Sequence, residues 1–214
     1  MKKISLTLIS FILITSLLVP LKTNCFEGGG NNSALSMQAF NLKMAERKLW
    51  IDHVLWTRNF IISDLADVKD KDSVAQRLLK NQDDIGASIK PYYGEEAGNK
   101  LSKLLREHIV IAGKVVDAAK SDNKADLDKY NKLWYKNADD IADFLSGANP
   151  NLSNSELKDM LHKHLEFVTA QVVARINKNW KADVEAYDKG EDHMIKFADV
   201  LSESIVKQFP EKLS

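Results

Sequence analysis

The stretch Trp50 to Ile62, W-I-D-H-V-L-W-T-R-N-F-I-I, reads as the middle of a long helix. Leu42, Leu49, Trp56 and Phe60 recur at helical spacing on one face. His53 falls in the same stripe, four residues after Leu49 and three before Trp56. A titratable ring where a leucine would pack better is informative, because cores admit polar side chains only when something satisfies them. The stretch decides the fold class. It predicts a bundle whose helices carry polar residues inside apolar stripes.

Working outward, the first helix should run from about Met37 to Asp67, followed by a charged turn at Lys69 to Asp72. Ser73-x-x-Gln76 has the spacing of a capping box opening the second helix, which carries Val74, Leu78, Ile85 and Ile89 inward. That helix should stop before Pro91, since the residue preceding proline avoids helical geometry. Tyr92-Tyr93-Gly94 makes the corner. A third helix follows from about Glu95 to Lys120, with Leu101, Leu104, Leu105, Ile111 and Val115 inward. Ser121 to Asn123 caps a fourth, ending near Gly147 ahead of Asn149-Pro150. Ser153-x-x-Glu156 opens a long helix to about Lys189, and Gly190 marks a break or bend before the last, which Phe209-Pro210 closes. No stretch alternates with period two. The expected architecture is all-α, an antiparallel bundle of five to six helices spanning residues 37–214.

The chain of 214 residues is long enough for one domain with a sizeable core behind a leader. Residues 1–25 open with Lys2 and Lys3 and continue as an apolar run from Ile4 to Leu21. Such a segment is a secretory signal or an N-terminal membrane anchor, and it predicts an extracytoplasmic domain, secreted or tethered. Cys25 invites a lipoprotein reading, but Lys22, Thr23 and Asn24 match a lipidation site poorly. Residues 26–36 include E-G-G-G-N-N-S and read as a flexible tether. Beyond Cys25 there is no cysteine, which excludes disulfides and thiol catalysis. Removing the leader takes away Lys2, Lys3 and Lys22 and no acid, leaving a slight acidic excess that does not suggest nucleic acid as a partner. Membrane contact is expected only through the N-terminal segment.

Motifs of the nucleotide-binding, α/β-hydrolase and zincin classes are missing from the sequence. So is the Glu-x-x-His pair of di-iron bundles: three residues before His53, His108, His164 and His193 stand Trp50, Leu105, Leu161 and Gly190. Asp159-x-x-His162 comes nearest, but His162 belongs to a solvated face with Lys158 and Glu166. His162 and His164, two apart on a helix, point to nearly opposite sides and cannot share an ion.

The polar insertions carry the functional expectation. His108 sits between Leu104 and Ile111, His164 between Leu161 and Val168, and Asn137 between Trp134 and Ile141. Asn81 and Gln82 interrupt the apolar row of the second helix. All lie well inside their helices, so antiparallel packing permits one layer of His53, His108, Asn137 and His164, with Asn81 or Gln82 at its rim. A lone inward histidine is usually a satisfied core residue. Three at one depth form a polar layer that costs stability unless its members, or a ligand, satisfy it. Arg58 and Arg175 could reach an anion from there, and otherwise are snorkelling surface residues. Asp84 and Asp140 read as surface carboxylates, the tryptophans Trp50, Trp56, Trp134 and Trp180 as packing, and His193 as a local cap or surface residue.

The segments H-V-L-W-T-R (53 to 58), N-Q-D-D-I-G (81 to 86), P-Y-Y-G-E-E-A-G (91 to 98), L-L-R-E-H-I (104 to 109), W-Y-K-N-A-D-D-I-A-D-F-L (134 to 145), A-N-P-N (148 to 151), M-L-H-K-H-L (160 to 165) and Q-F-P (208 to 210) together resemble an uncharacterised family of bacterial exported helical proteins. Some of its members are labelled glycosyltransferase or acetylglutamate kinase. Both chemistries need nucleotide-binding α/β folds, and this sequence has neither the strands nor the glycine-rich loops. The resemblance implies the fold and export, and no activity.

Three function classes follow. The first is a binding protein holding a small ligand or transition metal at His53, His108 and His164, with Arg58, Asn81 and Asn137 around them. Three imidazoles suit zinc or copper better than calcium or magnesium. The second is a structural or interaction module of the cell envelope whose polar layer fixes helix register. The third is a hydrolase using the same histidines.

Overall fold

A computed structural model describes residues 36–214, and the expected leader and nearly all of the tether lie outside them. Six long helices follow one another: α1 (Met37–Leu65), α2 (Lys71–Ser88), α3 (Lys90–Lys120), α4 (Lys124–Ala148), α5 (Asn154–Ile176) and α6 (Trp180–Gln208), with a short α7 (Pro210–Leu213). There is no strand among the described residues, and no described helix is long and apolar enough to cross a membrane. The chain is the all-α bundle its periodicity predicts.

Each helix packs on its neighbours in sequence, α6 closes back on α1, and α1, α3 and α5 also touch one another. The six therefore form a ring whose three odd-numbered helices meet across the middle. Their local endings explain the regularity. α1, α3 and α5 each finish in a left-handed residue, Asp67, Asp122 and Lys178, at φ of 51°, 50° and 56°. In each case the next N–H reaches back five residues, from Val68 to Ser63, Asn123 to Ala118 and Asn179 to Ala174. That double-ended turn reverses the chain within a few residues. Asn123 and Asn179 then cap the following helices by accepting from Asp126 N–H and Ala182 N–H.

Several boundaries differ from expectation. The Ser153 cap forms, accepting from Glu156 N–H. The Ser73 box does not: α2 already starts at Lys71, with Asp70 at the N-cap position three residues ahead of Ser73. Pro91 stands in the first turn of α3, where its missing N–H costs nothing, and the bend comes at Gly94, with φ +86°. Gly190 does not break the chain. It lies inside α6, where a β-carbon would stand 3.4 Å from Phe167 Cβ, so its smallness serves the approach of α5. The real break is at Asn177 to Asn179. Gly86 and Gly98 do the same for α2 and α3, since a β-carbon on Gly98 would fall 2.6 Å from the Gly86 carbonyl.

The core is built from Trp50, Leu78, Ile85, Leu101, Leu105, Ile141, Leu157, Leu165 and Phe197, all essentially closed to solvent. Leu105 is 2% exposed. Replacing it by glycine should cost several kcal/mol, about 2–5 for the lost side chain and cavity and about 1 for helix-interior glycine. Urea unfolding of Leu105→Gly measures this, and a midpoint unchanged from wild type would contradict the packing described.

Candidate functional site

The face that α1 buries is Ala39, Leu42, Glu46, Trp50, His53, Thr57, Ile61 and Asp64, spaced three and four apart. Trp56 and Phe60 flank it and are only half-buried. The deep face is thus rotated from the stripe read off the apolar residues alone. Four of its members are polar, so counting apolar residues drags the apparent stripe toward its edge.

At mid-bundle the parallel arrangement of α1, α3 and α5 brings His53, His108 and His164 together. The His53 and His164 rings are 5.3 Å apart between centroids, and those of His108 and His164 6.3 Å. All three are 2–3% exposed. The expectation that they share one layer holds for this arrangement.

His108 is fully occupied. Trp134 Nε1–H, which can only donate, donates to His108 Nε2 over 3.0 Å. The proton therefore sits on Nδ1, which donates to Asn137 Oδ1 over 2.7 Å. Asn137 Nδ2 in turn donates to the Leu104 carbonyl over 3.1 Å. One donor-only indole fixes the tautomer and the amide orientation alike. No lone pair on His108 remains for a ligand, which corrects its expected role as a metal donor: it braces α3 against α4.

His53 and His164 are different. Their Nε2 atoms face each other at 3.3 Å, so one nitrogen carries the shared proton. Both Nδ1 atoms are buried without a partner. Gln82 lies beside His53. Its Nε2 donates to the Leu78 carbonyl (2.8 Å) and to Asn81 Oδ1 (3.0 Å), while Oε1 is buried and unpartnered. Asn81 Nδ2 donates to the Leu49 carbonyl over 3.0 Å. Asn81 is therefore a staple between α2 and α1, one step from the layer, and Gln82 is the rim residue.

Burial holds the imidazoles neutral. It pushes His53 down to about 3, with the charge of His108 adding to it and the Gln82 side chain opposing. It pushes His108 down to about 4, against its bond to Asn137. His164 goes well below the ordinary range, from burial first and then from the other histidines. Neutral imidazole is the form that binds metals. Yet among the described residues no group of three or more His, Cys, Asp or Glu is arranged to hold a metal ion.

Arg58 does not reach the layer. Its two terminal nitrogens clamp Asp183 at 2.7 and 2.9 Å, and Arg175 holds the same carboxylate at 2.8 Å. Asp183, in the first turn of α6, has a side chain 2% exposed. A buried acid that the sequence reading passed over thus takes both arginines, and the expected anion site is not formed. His193 is not a surface cap: it sits inside α6 with Nε2 2.7 Å from the Met160 carbonyl, tying α6 to α5. His162 lies on a partly exposed face, beside Asp139 at 2.8 Å. Asp84 and Asp140 pair with Lys80 and Lys136 one turn away, as surface carboxylates do.

The inward residues missed from sequence include Glu46, Thr57, Asp64, Gln171 and Asp183, each buried. The three on α1 could have been found by extending the spacing of His53 backward to Glu46 and forward to Thr57 and Asp64, regardless of polarity. Asp183 gives no such signal, because nothing in the sequence says which acid two distant arginines share. Compared with known proteins, the chain matches no family model, no curated protein and no solved structure.

Proposed function

We propose that the helical domain is an exported binding module that holds a transition metal or a small ligand between His53 and His164. The observation that supports this is the pair itself: two buried imidazoles whose Nε2 atoms converge at 3.3 Å. With both Nε2 atoms on one ligand, each Nδ1 would carry the proton, and the Gln82 side chain beside His53 has a free amide oxygen to accept that one. Two nitrogens bound at about 2.0–2.1 Å to one tetrahedral ion stand roughly 3.3 Å apart, which is the separation found. Zinc or copper fits the nitrogen donors. The protein supplies two ligands, and the remaining positions belong to the ligand or to solvent.

Titrating the purified domain with zinc, and with copper under reducing conditions, tests this. At about a hundredfold excess over the dissociation constant, a bound ion should stabilise the fold by roughly 2.7 kcal/mol. His53→Leu and His164→Leu should each abolish that gain. A second reading rests on the saturated His108 chain: the layer is a register device in a structural or interaction module. It expects metal to change nothing, and joint replacement of His53 and His164 by leucine to be neutral or stabilising.

A further inference from the structure

The pole where α1 begins holds a buried acid that the histidine layer does not use. Glu46 is 1% exposed, and its Oε1 has no partner. It lies on the inward face of α1, one turn before Trp50, whose buried indole N–H faces it. Both line a small, mostly apolar pocket of about 20 Å³, with Tyr93, Phe144, Leu152 and Ser204 among its walls. That volume suits one water molecule.

Over this pocket lies a hydrogen-bonded cover. Tyr93 OH donates to Gln208 Oε1 and accepts from Asn149 Nδ2, each at 2.8 Å. Gln208 Nε2 donates to the Ala148 carbonyl over 3.2 Å, and Phe209 packs edge-on against Tyr93 at 5.1 Å. α3, the end of α4 and the end of α6 are thus joined above an acid that lacks a cation.

The geometry points to a proton-operated latch at this pole: as the neutral acid, Glu46 shares the pocket with one ordered water and the cover stays shut, and as the carboxylate it opens the pole to solvent. The groups facing it are all neutral. α1 offers Trp50, α2 Ser88, α3 Tyr92 and Tyr93, and α6 Ser204, while α4 and the turn after it present only Phe144, Leu145, Ala148 and Leu152. No lysine, arginine or histidine lines the pocket. An ionised Glu46 would therefore keep its desolvation cost without a counter-charge.

The direction of the titration agrees. Burial raises the Glu46 acid above its usual value of 4.5, against Ser88 and Trp50, which lower it. A raised acid contributes stability that is complete below its ordinary value and lost as pH rises through the folded one. The buried histidines act the other way. The shut pole and the neutral layer thus coexist in the window between them.

Hydrogen exchange across a pH series tests the latch, read on peptides covering residues 89–93 and 205–213 and corrected for intrinsic exchange. In wild type the opening constant of these segments should rise about tenfold per pH unit from 4.5 up to the folded value, then level off. In Glu46→Gln, which keeps the shape without the charge, it should stay flat. Equal opening in both proteins overturns the proposal. Should the variant fail to fold, carbon-13 titration of the Glu46 carboxyl in wild type decides. A carboxyl that ionises in the ordinary range overturns it, and one that ionises late, together with the loss of protection, supports it.

Discussion

Between pH 6.5 and 4 the folded domain should lose stability steeply, and the buried histidines should account for it. In the unfolded chain each takes up a proton near 6.5, whereas in the fold His53 waits until about 3 and His108 until about 4, with His164 also well below its ordinary value. A depressed folded value means stability present above 6.5 and lost as pH falls toward the folded value. Each proton refused costs about 1.4 kcal/mol per pH unit. At pH 5 the three together forfeit roughly 6 kcal/mol, which is comparable to the whole stability of many domains. Glu46, whose acid is raised, works in the opposite sense and offsets about one of the three protons over part of the range. Urea midpoints at pH 8, 7, 6 and 5 provide the measurement. They should be nearly flat above 7 and fall sharply below 6.5. Changing His53 and His164 together to glutamine should remove most of the slope. A profile equally steep in that variant would mean that other groups govern acid unfolding.

The second large effect should come from Asp183. Its carboxylate is almost fully enclosed and is shared by Arg58 and Arg175, whose side chains are each 17% exposed. The guanidinium of Arg58 also lies over the Tyr187 ring at 5.0 Å, and that of Arg175 over Trp180 at 5.3 Å. Both cations are therefore held in place by more than the acid. Asp183→Leu would leave two guanidinium groups facing one another without their counter-ion, and should cost about 3–5 kcal/mol. Replacing the triad as a whole, with methionine at both arginines and leucine at the acid, should be far milder, because no unpaired charge remains. Calorimetry or urea unfolding of the two variants separates the cases. If the single substitution costs no more than the triple, the triad is not the closing clasp between α1, α5 and α6 that its geometry describes.

Local rules made the helices legible. The spacing of Leu101, Leu105 and Val115, the Asn-Pro stop after α4 and the Ser153 cap are short-range features, and each appears as read, whereas Ile111 is only partly buried. The depth of His53, His108 and His164 was also legible, because position along a helix is counted in residues and mid-helix positions share a level in a bundle of similar-length helices. What could not be read was which atoms meet. Whether an imidazole keeps a free lone pair depends on a partner from another helix: Trp134 closes Nε2 of His108, whereas Nε2 of His53 and Nε2 of His164 meet only each other. Arg58 looked free because Asp183 stands 125 residues away. Glu46 drew no reading from the sequence, and only the closing of α2, α3, α4 and α6 around it removes the water. Periodicity is a property of a single helix, and the sequence carried it. Hydrogen-bond satisfaction and desolvation are properties of several helices at once, so tertiary packing alone decided them.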